Sequence, residues 1–227
     1  MIFSIDHLVF SATPSTAREI RGQLTAAGFF PESFGLIFPE IGAASESLSF
    51  AGGGFVEFVV EADPTRSPRV WFAETPRLMG LGFASDDFES DTHWRGEPES
   101  WVMNEGHVLS SGSRINIHAA GPHRHLSDFY VFVMDRPDGR LEFPQRVEGP
   151  RLHGIHFEGA EAEGWRQQLA RWLGLPAAAS DTLRVGDIEL CFSQSAETAL
   201  RVSPTFDVGA TGAEIPLARG RIELAAP

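Results

Sequence analysis

A short apolar strand pattern recurs three times along the chain at nearly equal spacing. The copies are Ile5–Phe10, Leu78–Phe83 and Leu152–Phe157. Self-similarity at a fixed period is typical of duplicated supersecondary units that complete one another's core. The repeat therefore constrains the fold more than any other feature, since each copy must open an equivalent piece of structure.

The segments after these openings define the expected units. The first contains a strand, then a helix that starts at Thr13-Pro14 and ends at Gly28, then further strands. In the second, Asp86-Asp87 is expected to cap a short helix reaching about Trp94. We predict three units, packed as one compact domain: residues 1–64, residues 77–146, and residues 151–227 with a C-terminal hairpin.

Composition and charge exclude several classes of function. The chain has 227 residues and a net charge of −13, so it lacks the basic surface that nucleic acids require. No apolar run reaches the roughly 18 residues of a membrane span. All basic residues are arginines, which excludes lysine Schiff bases and a P-loop. A cytoplasmic protein with no nucleic-acid or membrane partner is expected.

Two polar side chains stand inside apolar strands. His7 lies in Ile5–Phe10, where regular alternation would place Ile5, His7 and Val9 on one face. Glu57 lies in the strand Phe55–Val60 and is costly to bury without a partner. Either residue is a ligand or catalytic group, or else a core residue satisfied by a hydrogen bond or an arginine.

The chain resembles the glyoxalase-like members of the vicinal oxygen chelate superfamily. The resemblance rests on Asp6-His7-Leu8-Val9, on Gly54–Val59 and on Gly82–Asp87. It implies an α+β fold in which repeated βαβββ units curl their mixed sheets around a cleft. It also implies a divalent metal in that cleft, held by a histidine and a glutamate from each half.

The same resemblance implies which residues would hold the metal. His7 and Glu57 would be the ligands from the first unit, and such ligands suit Zn, Fe, Mn, Ni or Co. The position equivalent to His7 is a glycine in both later units, so His156 is expected to substitute and His118 is a rival. Three glutamates are alternative carboxylate ligands: Glu142, Glu189 and Glu223. Whether the first unit pairs with the second or the third stays open.

The segment Arg114–His118 alternates strictly between polar and apolar residues, which predicts a strand with two different faces. Ile115 and Ile117 suit a face covered by a helix, and the polar residues suit an open face. We expect three residues of the open face to contact a substrate: Arg114, Asn116 and His118. A solvated strand face is the alternative.

The leading functional hypothesis is a bacterial-type metalloenzyme acting on a small substrate with vicinal oxygens. The metal would polarise those oxygens, and Glu57 would double as the catalytic base. Isomerase, lyase, dioxygenase and hydrolase reactions all stay open. The alternative is a metal-free binding or resistance protein that uses the same cleft, and a third is an interaction domain with a vestigial site. A homodimer is compatible with either of the first two.

Overall fold

The fold is taken from a computed structural model of the chain. It describes residues 4–32, 35–66, 72, 74–92, 100–109, 112, 114–121, 129–135, 148–176, 180–208 and 212–225. Glu142, one of the alternative carboxylate ligands, lies outside these ranges. None of the described helices is long and apolar enough to cross a membrane.

The described elements are eighteen in number and mostly strands. They follow one another as β1 (Ser4–Ala12), α1 (Pro14–Ala26), β2 (Phe30–Pro31), β3 (Leu36–Phe38), β4 (Ala43–Ser49), β5 (Phe55–Glu61), β6 (Arg77–Ala84), α2 (Phe88–Asp91), β7 (Trp101–Leu109), β8 (Arg114–Gly121), β9 (Tyr130–Asp135), β10 (Arg151–Glu158), α3 (Ala162–Trp172), β11 (Thr182–Val185), β12 (Ile188–Ser193), β13 (Arg201–Asp207), β14 (Ala213–Leu217) and β15 (Gly220–Ala225).

The first nine strands curl into a closed barrel. They pair in the order β2-β4-β3-β7-β8-β9-β6-β1-β5, and β5 also pairs with β4. This last pairing closes eight strands into a ring and leaves β2 beside it on β4. Closure satisfies the edge hydrogen bonds and creates an interior.

The barrel is built from the segments that were expected to form the first and second units. β1 pairs with β6, and β3 pairs with β7, both antiparallel. The question of which unit faces the first is answered by these two pairings, because β6 opens the second repeat. The third repeat contributes nothing to the barrel wall in the part of the chain that the structure describes.

The remaining six strands form an open mixed sheet in the order β11-β12-β10-β13-β15-β14. Its pairings follow the pattern of the barrel. β10 pairs parallel with β12 and antiparallel with β13, as β1 pairs parallel with β5 and antiparallel with β6. Few helices and two mixed sheets, one of them closed, define the architecture.

The first helix follows the expected pattern, and the third helix also buries an apolar face. Thr13 caps α1 through its side chain, and Pro14 occupies the first turn. Ala17, Ile20 and Leu24 of this helix are buried, and Gly28 follows with a φ of 97° that favours glycine. α3 likewise buries an apolar face that includes Trp165 and Leu169. The expected helix after Asp87 is shorter than predicted and ends at Asp91.

Sequence patterns missed β7. It carries Trp101, Asn104, Glu105 and His107 between apolar residues, so strict alternation of apolar and polar residues is absent. Its strand conformation follows from its long antiparallel pairing with β8. Non-local pairing therefore decides the structure of this segment.

The main core joins the barrel to the open sheet. Phe206 of β13 is fully buried, and its ring packs edge-on against Phe29 at 4.9 Å and Phe50 at 5.2 Å. Phe129, next to β9, makes the same kind of contact with Phe157 and Trp165 of the third repeat. A second, smaller core lies inside the barrel, around residues such as Val9, Ile117 and Phe132.

Replacing Phe206 tests this junction. Phe206→Ala leaves a ring-sized void between the sheets and should lower the free energy of unfolding by about 3–5 kcal/mol. Arg201→Ala on the same strand removes only the exposed pair with Glu197 and should change it by at most about 0.5 kcal/mol. Urea denaturation followed by tryptophan fluorescence measures both. Equal effects of the two variants would contradict the assigned role of Phe206.

Candidate functional site

The barrel contains a cavity of about 230 Å³ that is partly open to solvent. Most of its wall is apolar and includes Phe38, Phe55, Met103, Phe132 and Met134. Among the residues that the structure describes, the polar side chains that line it are His7, Ser45, Ser47, Glu57, His107 and Tyr130. A mostly apolar pocket with a few convergent polar groups is the usual form of a small-molecule site.

An irregularity in β1 brings Asp6 and His7 together. Regular alternation would send these neighbours to opposite faces, but the pairing of β1 with β6 shifts between Ile5 and His7. Such a bulge re-aims side chains. Asp6 Oδ1 lies 2.6 Å from His7 Nδ1, and both residues are buried. The prediction that Ile5 shares a face with His7 is wrong, because Ile5 joins the main core outside the barrel.

The imidazole of His7 is held on several sides. Phe55 stacks on it with ring centres 4.5 Å apart, and Phe132 meets it edge-on at 5.2 Å. A Cβ at Gly82 would lie 3.0 Å from His7 Nδ1 and Cε1, and 2.9 Å from the Phe132 ring. A glycine in β6 is therefore what leaves room for the imidazole.

Glu57 faces the other nitrogen of the ring. Its Oε2 lies 3.5 Å from His7 Nε2, and the two residues are 6% and 5% exposed. β1 and β5 run parallel, with Phe55 opposite His7 and Glu57 opposite Val9. Glu57 is therefore on the strand next to His7 and two residues further along, on the same wall of the cavity. If Nδ1 donates its hydrogen to Asp6, Nε2 and Oε2 are both acceptors and a proton, a cation or a donor from a ligand must come between them.

This arrangement can bind and move a proton. Asp6 fixes the ring orientation and stabilises a charged imidazole, which is the role of a carboxylate behind a histidine base. Nε2 then accepts a hydrogen bond or a proton from a hydroxyl or amine of a ligand in the cavity. Glu57 stabilises the charge that forms and accepts a second hydrogen bond.

The second half of the barrel does not repeat this pair. Aligning the strand openings places Gly80 at the position of His7. In the same register Tyr130 pairs with Gly80 and Phe132 with Gly82, so aromatic residues stand where the first half has Phe55 and Glu57. A Cβ at Gly80 would lie 2.7 Å from the Tyr130 ring. Aromatic rings therefore fill the space of the second pair of polar side chains.

The positions of His7 and Glu57 show whether these residues fit a divalent metal ion. The separation of 3.5 Å between His7 Nε2 and Glu57 Oε2 is close to the roughly 3.0–3.4 Å between adjacent ligands of one ion. Among the residues that the structure describes, however, no cluster of three metal-binding side chains exists. These residues therefore do not fit an ion that is held by the protein alone.

Three of the other predicted ligands, His156, Glu189 and Glu223, lie on the open sheet and do not line the cavity. His156 Nε2 lies 2.8 Å from Ser193 Oγ, across β10 and β12. Glu189 pairs with Arg184, and Glu223 accepts from Arg221 and Thr205. The structure thus brings His7 and Glu57 together and places these three residues elsewhere. Glu142 lies outside the described ranges.

The faces of β8 are opposite to the prediction. Ile117 lines the cavity and Ile115 is buried in the core inside the barrel, so their face is not covered by a helix as predicted. Asn116 is exposed, and His118 lies against Phe88 of α2 with ring centres 6.0 Å apart. Neither lines the cavity. The Arg114 side chain is outside the described part of the structure.

Three site residues were not singled out from the sequence. Asp6 needs the bulge, which no local pattern indicates. His107 lies in the unpredicted strand β7, where it is 8% exposed. Tyr130 lies in β9, and its ring reaches the cavity because β9 pairs with β6.

Comparisons with solved structures match this fold. A hypothetical protein from Staphylococcus aureus matches with a TM-score of 0.72 and 6% identity, over 100% of both chains. A 2,2',3-trihydroxybiphenyl 1,2-dioxygenase from Sphingomonas wittichii matches with 0.54 and 8%, over 100% of this chain and 91% of its own. A mutant 4-hydroxymandelate synthase from Streptomyces coelicolor matches with 0.54 and 15%, over 89% and 70%.

The chain shares the vicinal oxygen chelate type of fold with the dioxygenase and the synthase. At identities of 8% and 15%, the similarity concerns the fold and not the residues of the site. No protein-family model and no curated protein sequence matches the chain.

Gly82→Ala tests the close packing around His7. The added methyl group must displace the imidazole or Phe132, and we expect a loss of about 1–3 kcal/mol in unfolding free energy. Gly164→Ala in α3, where a Cβ meets nothing within 4 Å, is the control and should stabilise by about 0.5–1 kcal/mol. Thermal and urea denaturation measure both. A Gly82→Ala protein as stable as the wild type would contradict the packing.

Tyr130 offers a second test, because it is the only tyrosine in the chain. Burial raises the pKa of its hydroxyl above the ordinary value of 10.0, and the charge of Glu57 adds to the increase while Arg77 opposes it. Absorbance at 295 nm should therefore show no tyrosinate at pH 10 in the folded protein, and a midpoint near 10 in denaturant. Since the unfolded state releases this proton first, the group stabilises the fold below pH 10, and that contribution is lost as the pH rises further.

Two variants sharpen the titration. Glu57→Gln should lower the pKa of Tyr130 toward its ordinary value, because the negative charge beside the hydroxyl is removed. Tyr130→Phe should remove both the absorbance change and its share of the alkaline loss of stability. A folded protein that forms tyrosinate with a midpoint near 10 would show that the hydroxyl is not in this environment.

Proposed function

We propose that the barrel cavity binds a small, mostly apolar molecule, and that His7 and Glu57 bind the polar group of that molecule. The single observation that carries the proposal is the facing pair of His7 Nε2 and Glu57 Oε2, buried 3.5 Å apart in an otherwise apolar cavity. Binding does not depend on a metal ion in this proposal. We also propose that residues 1–64, 77–146 and 151–227 are three repeated βαβββ units.

The size and the walls of the cavity support a ring compound. A cavity of about 150 Å³ takes up benzene, so 230 Å³ suits a substituted benzene ring. Phe55 and Phe132 offer aromatic faces and edges, and Met103 and Met134 adapt to irregular shapes. Two acceptors facing the cavity favour a ligand that donates a hydrogen bond, such as a phenol.

Binding of 4-methylphenol and toluene to the wild-type protein tests this pairing, since the two differ only by the hydroxyl. We expect 4-methylphenol to bind about tenfold more tightly, which corresponds to one hydrogen bond to a charged or polar partner. His7→Phe and Glu57→Gln should each reduce the preference severalfold while toluene binding persists. Isothermal titration calorimetry measures all of these. Absence of binding by either probe would overturn the proposal.

Asp6→Asn adds a test of proton placement. The amide presents its NH₂ group to Nδ1, which moves the ring hydrogen to Nε2 and leaves a donor where the wild type has an acceptor. The preference for 4-methylphenol over toluene should therefore fall although the cavity keeps its shape. An unchanged preference would mean that Asp6 does not set the tautomer of His7.

A metal-dependent enzyme is the second candidate, with His7 and Glu57 as ligands and Glu57 as base. The observation that favours it is the same 3.5 Å separation, together with the carboxylate of Asp6 behind His7, which is common behind metal-binding histidines. It requires further donors, for which His156 was the sequence-based expectation. The substrate contacts of Arg114, Asn116 and His118 remain predictions of this candidate.

Elemental analysis separates the two candidates. Protein purified without chelators or an affinity tag should contain far less than one equivalent of Zn, Fe, Mn, Ni or Co, and adding these ions should leave the melting temperature unchanged. One equivalent of metal that disappears in His7→Ala and Glu57→Ala would overturn the metal-free proposal in favour of the enzyme.

A further inference from the structure

His107 faces the cavity from the wall opposite His7. Eight strands form the ring, and β7 is the fourth strand from β1 in either direction around it. The two histidines therefore project into the same cavity from opposite sides of the barrel. The lining of the same cavity includes Phe55, Phe132 and Met103.

The environment of His107 leaves one of its nitrogens without a hydrogen-bond partner. The side chain is 8% exposed, and its ring lies edge-to-face with that of Phe38, with centres 5.9 Å apart. Its Nε2 is buried and has no hydrogen-bond partner among the residues that the structure describes. Buried polar nitrogens are nearly always paired, so an unpaired one in a cavity wall indicates a missing partner.

We propose that His107 is a second ligand-binding residue, which selects molecules with a polar group at each end of an aromatic ring. The inference rests on the proposed function, because it concerns a ligand in the same cavity. One end donates to His7 and Glu57, and the other pairs with His107 Nε2, which accepts or donates according to the tautomer of its ring. The ring between them lies among Phe55, Phe132 and Met103.

The unpaired Nε2 of His107 is what distinguishes ligands with one polar end from ligands with two. A ligand with one polar end fills the cavity but leaves the His107 nitrogen desolvated, whereas a ligand with two polar ends satisfies it. Sites built to hydrogen-bond a group discriminate strongly against analogues that lack it. His107 is therefore a specificity residue, and its removal should change the choice among ligands more than the affinity for the simplest one.

The test compares ligands that differ only at the second end. The probes are 4-methylphenol and 4-(hydroxymethyl)phenol, with the corresponding 3-substituted pair to allow for the length of the cavity. For the wild type we expect the hydroxymethyl member of at least one pair to bind about tenfold more tightly. In His107→Phe the two members of that pair should bind within about twofold of each other.

His107→Gln is the companion variant, because its amide reaches about as far as Nε2 and can pair with the hydroxymethyl group. It should retain part of the preference, and it keeps the test decisive if His107→Phe does not fold. Melting temperatures establish that each variant is folded before its binding is measured.

Three outcomes are distinguishable by calorimetry. A preference that His107→Phe abolishes and His107→Gln partly retains supports the inference. Binding of 4-methylphenol with no preference in either pair, or with a preference that survives both substitutions, overturns the role of His107 and leaves the cavity function standing. Failure of every probe to bind the wild type overturns both.

Discussion

The closing contact between β4 and β5 is the constraint on which the site depends. Without it the first nine strands would form an open curled sheet, with His7 and Glu57 on a solvated face. Closure places both residues inside and reduces their exposed fractions to 5% and 6%. Burial of two ionisable groups is unfavourable unless each is paired, so the interactions of Asp6 with His7 and of His7 with Glu57 follow from closure.

The barrel is symmetric in its backbone and asymmetric in its chemistry. The parallel pairing of β1 with β5 has its counterpart in β6 with β9, but the pair His7 and Glu57 has its counterpart in Gly80 and Phe132. Glycines in β6 make the asymmetry possible, because the rings of Tyr130, Phe132 and His7 occupy the space of the absent side chains. A shared fold with the dioxygenase and the synthase does not by itself imply a shared donor set.

Much of the architecture follows from local patterns in the sequence. The repeated openings, the capped helix after Thr13 and the strand that carries Glu57 are each determined within a few residues, and the structure contains all three. The pairing of the first two repeats could not be predicted, since both later openings carry glycine at the position of His7. His7 and Glu57 were found because a polar residue in an apolar strand is visible without tertiary information.

The rest of the site depends on tertiary geometry. Asp6 reaches His7 only because β1 shifts register against β6. His107 lies in β7, whose mixture of polar and apolar residues does not show the alternation that indicates a strand. The faces of β8 illustrate the same limit. Alternation shows that Ile115 and Ile117 share a face, but whether that face meets a helix or a cavity depends on how the sheet curls.

The short strand β3 has a consequence for how molecules reach the interior. In the described part of the chain it joins β7 through Leu36–Leu109 and Ile37–Val108, and it joins β4 through a similarly brief ladder. Separating these strands breaks fewer of the described backbone pairings than separating β1 from β6. His107 of β7 stands beside Phe38 of β3 in this part of the wall. A ligand that passes beside β3 therefore disturbs a smaller part of the sheet than one that passes between β1 and β6.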